Sequence, residues 1–160
     1  MRKTLLVVLI AYSLLVVSDS ASAQAPAEDE TQTARIAAFE KSLSGSVLVG
    51  RFSITGRGDN TLKEERYEIK SVKHVEGEVF LFTARIAYGD HDVTVPLPLP
   101  VRWAGDTPVI CLDKMLIPGL GTYSARVMFH EDHYAGYWDG GDHGGHLFGV
   151  IEHSEAKPAE

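Results

Sequence analysis

Cysteine is almost missing from this chain: Cys111 stands alone, so no internal disulfide can form. In Val109-Ile110-Cys111-Leu112 it reads as a small buried hydrophobe, because nothing near it would lower the thiol pKa. Positive charge is also scarce. With 15 Lys and Arg against 22 Asp and Glu, the net charge is −7. That excludes the basic footprint that nucleic-acid phosphates require and disfavours anionic membrane surfaces. Long hydrophobic runs are limited to one, at the very start. Arg2 and Lys3, the apolar stretch from Thr4 to Val17, and the small-x-small Ala21-Ser22-Ala23 make residues 1–23 an export signal. The run ends at Ser18-Asp19-Ser20, short of the roughly 20 apolar residues a spanning helix needs. The expectation is an exported protein, periplasmic or extracellular, with no membrane anchor after cleavage.

Catalytic signatures are missing as well. There is no Gly-x-Ser-x-Gly elbow, and His130-Glu131-Asp132-His133 is one residue short of the helical His-Glu-x-x-His zinc motif. Glu64-Glu65-Arg66 alternates with Tyr67 and Ile69, which reads as the solvated face of a half-buried strand and not as an acid–base pair. No enzymatic activity is read from the chain.

What is present is a long series of strand-like segments. Residues 24 to about 32 are small and acidic, with the composition of a disordered segment. Thr33 to Leu43 sets Ile36, Phe39 and Leu43 at helical spacing, with Gly45 as a stop. Strands are predicted at 46–55, 62–75, 78–88, 91–101, 108–113, 122–130, 133–139 and 145–152, with turn residues between them. The fold expected is all-β: eight antiparallel strands in a meander over 45–153, forming a small barrel or a partly open one. A short N-terminal helix covers one end, and 154–160 is a disordered tail.

Two hairpins can be registered. A two-residue turn at Gly89-Asp90 sets Ile86 against Val93, Ala84 against Val95, Phe82 against Leu97 and Phe80 against Leu99, all apolar. In the same register Pro96, Pro98 and Pro100 fall at non-hydrogen-bonded positions, so their missing N–H groups would have faced the following strand. A sheet edge, or a gap in an otherwise closed barrel, is therefore expected along 96–100, a place where a protein partner could dock. Trp103 is placed in the loop after it, plugging an end of the core. A turn at Glu131-Asp132 sets Phe129 against Tyr134, Val127 against Gly136 and Ala125 against Trp138, alternating large and small as a narrow barrel interior requires.

That second register also brings His130 opposite His133, with Cβ atoms about 5 Å apart. Such a pair admits a divalent transition metal, completed by His143 or by Asp132, Asp139 or Asp142; against it, functional zinc sites hold three or four ligands and exposed turns are rich in His and Asp. The aromatics Tyr88, Tyr134, Trp138 and Phe148 are candidates for lining a binding cavity, with Tyr88 and His91 at its mouth. For 145–152 the inward set is either His146/Phe148/Val150 or Leu147/Gly149/Ile151.

Tyr134-x-Gly136-x-Trp138, Gly144-Gly145 before Leu147-Phe148-Gly149, and the eight-strand meander resemble the calycin group, the lipocalin- and avidin-like barrels, across 45–153 in layout. The lipocalin Gly-x-Trp signature is not matched, since Gly50-Arg51-Phe52 stands near the first strand. No family binding residue can be carried over. The chain is also similar to small exported bacterial proteins of no assigned activity. Together these imply a non-catalytic exported β-barrel that binds a small apolar or amphipathic ligand. The alternative is an envelope or extracellular protein-interaction module, with or without the histidine metal site.

Overall fold

The computed structural model describes residues 25–55, 61–88 and 91–153, with the backbone alone at 25–29, Tyr88 and His91. The expected export signal, the expected Gly89-Asp90 turn and the expected C-terminal tail lie outside those residues. Among them, no helix is long and apolar enough to cross a membrane.

One helix precedes eight strands: α1 (Ala25–Leu43), β1 (Ser46–Phe52), β2 (Lys63–Glu76), β3 (Val79–Tyr88), β4 (His91–Ala104), β5 (Thr107–Ile117), β6 (Gly121–His130), β7 (His133–Asp139) and β8 (Gly144–His153). The strands pair in chain order and β8 returns to β1, closing an antiparallel meander barrel. α1 begins at Ala25, well before the expected Thr33. The acidic segment read as disordered is its first turns. Pro26 is tolerated there because the first helical N–H groups have no partner anyway.

The β3–β4 register is the expected one, from Phe80↔Leu99 to Ile86↔Val93. So is β6–β7, from Ala125↔Trp138 to His130↔His133. The Glu131-Asp132 turn holds even though Glu131 must adopt φ 50°. β5 runs on past the expected end at residue 113. A bulge at Asp113-Lys114, with Lys114 at φ 50° and its N–H donating to Ser124 Oγ (3.0 Å), absorbs the polar pair and lets Met115–Ile117 rejoin β6.

The barrel closes, and yet β4 meets β5 only over Val101–Ala104 against Thr107–Ile110. Along 91–100 the described residues give β4 no ladder partner on that side. The reason lies in the alternation of the antiparallel ladder. Odd-numbered residues of β4 bond towards β3, as Val101 N–H does to Glu78 O (2.7 Å). Even-numbered ones face β5, and Pro96, Pro98 and Pro100 have nothing to donate. Arg102 is the first even-numbered residue beyond the prolines with an N–H, and the β5 ladder includes it. Trp103 is therefore in strand β4 opposite Pro108, not in a loop.

α1 closes one end of the barrel. Phe39 is 4% exposed and sets its ring edgewise to Phe80, Phe82, Trp103 and Phe129 at 5.5, 6.2, 5.9 and 5.8 Å. Leu43 is buried beside it. Polar contacts fix the dock: Arg35 donates to Gly105 O (2.9 Å) and Ser44 Oγ accepts from Val72 N–H (2.9 Å). At the opposite end, where β1 and β7 finish and β2 and β8 begin, the described residues include no helix.

Candidate functional site

Inside the barrel lies a cavity of about 620 Å³, within the usual range for small-molecule sites. Its walls are apolar: Leu48, Ile69, Phe82, Ile86, Leu97 and Leu112 face it from β1 to β5, and Ala125, Phe129 and Leu147 from β6 and β8. Leu43 of α1 contributes to its lining at the closed end. The cavity reaches the other end through Phe52, Ile54, Lys63, Tyr123, Trp138 and His143. Trp138 organises this rim, with Phe52, Tyr123 and His143 around it at ring distances of 6.0, 6.2 and 5.2 Å.

One charged side chain is buried among the described residues, and it lines the cavity. Glu65 is 4% exposed. Tyr67 donates its hydroxyl to Glu65 Oε2 (2.7 Å) and Tyr134 donates to Oε1 (2.9 Å). Burial raises the Glu65 carboxyl above its ordinary value, and the two tyrosine bonds offset part of that rise. The Tyr134 hydroxyl is held far above its ordinary value, first by burial and then by the carboxylate it bonds.

The geometry depends on glycine. Tyr134 pairs with Gly149, Gly149 with Gly50, and Gly50 with Glu65, so the four form one row across β7, β8, β1 and β2. A Cβ on Gly50 would sit 2.2 Å from the Tyr134 hydroxyl, and one on Gly149 would sit 2.8 Å from its ring and 2.2 Å from Val49 O. Two adjacent glycines thus leave a trough in the wall, and the tyrosine lies along it to reach a carboxylate two strands beyond its neighbour.

Of the expected cavity residues, Tyr134 and Trp138 line the cavity. Trp138 Nε1 is buried with no hydrogen-bond partner. Tyr88 and His91 pair at the end of the β3–β4 hairpin, where only their backbone is described. Phe148 points outward and is 46% exposed: β8 turns Leu147, Gly149 and Ile151 to the interior, so Phe148 does not line the cavity.

The histidines divide between the two ends. His130 and His133 are opposite each other, as the register requires, and exposed at the helix-covered end. His143 sits at the other end of β7, roughly 20 Å away at strand rise, where it contacts the Asp142 carboxylate. The three cannot share one metal ion. Asp132 is engaged by His153 Nε2 (3.3 Å), and among the described residues no three His, Cys, Asp or Glu side chains converge.

Sequence reasoning misses Glu65 and Tyr67 as site residues because charge alternating along a strand reads as a solvated face. The sequence does hold the signal: Glu65 has the parity of Tyr67 and Ile69, so if Ile69 faces the core then Glu65 does too. Compared with protein-family models, curated proteins and solved structures, this chain matches none of them.

Proposed function

We propose that this protein is an exported carrier barrel that holds one small, largely apolar ligand in its interior. The observation that carries this reading is an apolar cavity of about 620 Å³ containing a single buried carboxylate. Interiors of small barrels are ordinarily filled by side chains, so room of this size, with one polar anchor, is the layout of a binding site. An all-apolar core of equal stability needs no glutamate. The calycin likeness of the meander accords with this reading.

The test uses tryptophan emission. The chain has two tryptophans, and Trp103→Phe leaves Trp138, at the rim, as the sole reporter. A neutral apolar probe such as N-phenylnaphthylamine should quench it saturably at one site per chain. Ala84→Phe, which places a ring in the cavity, should abolish the uptake. Uptake that is absent, or indifferent to Ala84→Phe, would remove the reading.

A second reading, a protein-interaction module, draws on β4 having, among the described residues, no ladder partner on its β5 side along 91–100. A concentration-dependent complex dispersed by Pro98→Asp, read by light scattering, would favour it over the carrier.

A further inference from the structure

We propose that the ligand carries a protonated amine and that Glu65 is its counter-ion, with Tyr67 and Tyr134 positioning the carboxylate. This rests on the carrier reading above and names the chemistry of the head group.

Glu65 is deeply buried yet, among the described residues, has no cationic partner. Both of its oxygens are bonded, but by neutral hydroxyls. Lys63, two residues away on the same strand face, is exposed at the rim and forms no ion pair with it. A carboxylate offers about four lone-pair positions, and two remain open here. Burying a charge that is hydrogen-bonded but uncompensated is costly. A cation arriving with the ligand removes that cost.

The direction of the hydrogen bonds selects the ligand's polarity. Tyr67 and Tyr134 spend their protons on Glu65, so neither hydroxyl proton is left to donate to a ligand. An alcohol can donate one bond but leaves the charge unbalanced. A carboxylate ligand meets like charge at Glu65 and finds no spare proton on either tyrosine. An ammonium group supplies both protons and charge. The rings of Tyr67 and Tyr134 beside it add faces on which a cation is favourable. The net charge of −7 raises the local concentration of cations and lowers that of anions.

The experiment compares three probes that share one tail: dodecylamine, dodecanol and dodecanoate, each below its micelle concentration, titrated by calorimetry into the full protein at neutral pH. The amine is expected to bind roughly tenfold or more tighter than the alcohol, and dodecanoate most weakly, as one charge-assisted bond implies. In Glu65→Gln, which keeps an acceptor for the tyrosines, the amine should lose about that factor while dodecanol stays within about threefold. An alcohol or acid binding as tightly as the amine, or an amine affinity untouched by Glu65→Gln, would overturn the inference and leave the carrier reading standing. If none of the three binds, the carrier reading falls and the inference with it. The ranking on the unsubstituted protein needs no variant to fold.

Discussion

The Tyr134 hydroxyl on β7 donates to Glu65 Oε1 on β2 over 2.9 Å, joining residues 69 apart in sequence across two intervening strands. The bond exists because Gly149 and Gly50, paired with each other between them, put no side chain in its path.

Gly50→Ala should therefore be costly for its size. The added methyl would meet the Tyr134 hydroxyl at 2.2 Å and the Phe148 carbonyl at 2.3 Å. The carbonyl belongs to the paired strand and cannot move without breaking the ladder. A loss of about 1–3 kcal/mol or more is expected from such overpacking, measured by denaturant unfolding. A neutral result would mean the tyrosine does not lie in the glycine trough.

Tyr134→Phe removes one of the two donors to a buried carboxyl. The expected cost at neutral pH is about 1–3 kcal/mol, the penalty of an unsatisfied buried acceptor. In the Glu65→Gln background the same substitution should cost less. A double-mutant cycle gives the coupling directly, and additive effects would place the two groups out of contact.

Stability should depend on pH through Glu65, with a definite sign. Its folded-state pKa is raised, chiefly by burial, so folding favours the protonated form. The contribution is fully present at pH below the ordinary glutamate value and is lost as the pH climbs through the higher folded value. Glu65→Gln has no such loss. Thermal melts from acid to neutral pH should show the unsubstituted protein falling steadily behind the variant, and gaining on it would contradict the burial.

Phe39→Ala should cost about 3–5 kcal/mol, the usual range for a buried ring, since four aromatic edges converge on it. Because those contacts tie α1 to the barrel, the variant should also become susceptible to limited proteolysis within 30–43. Protection equal to that of the unsubstituted chain would show that the helix is held by other contacts.

The parts of the fold that rest on local alternation were legible in the sequence. The β3–β4 and β6–β7 registers follow from apolar residues recurring every second position around a two-residue turn, and the unpaired run of β4 follows from three prolines sharing one parity. The cavity site was not legible in the same way. The row from Tyr134 to Glu65 needs the β7–β8, β8–β1 and β1–β2 registers together, and two of its four members are glycines, which have no side chain to betray a facing. The start of α1 was hidden by its composition: a Pro beside a run of acids reads as disorder, although the first turn of a helix tolerates Pro. The end of β5 was hidden by a bulge, which looks like a turn when only polarity is read.

The short β4–β5 ladder makes the barrel wall a clasp fastened at one end. Four residue pairs beside the helix hold it shut, and beyond them, among the described residues, the ladder between the two strands does not continue. Among the described residues, parting the two strands there breaks no ladder pair. The prolines that leave the clasp loose also strip it of the donors a foreign strand would need to slip in. The short ladder and the resistance to an added strand thus come from the same three residues.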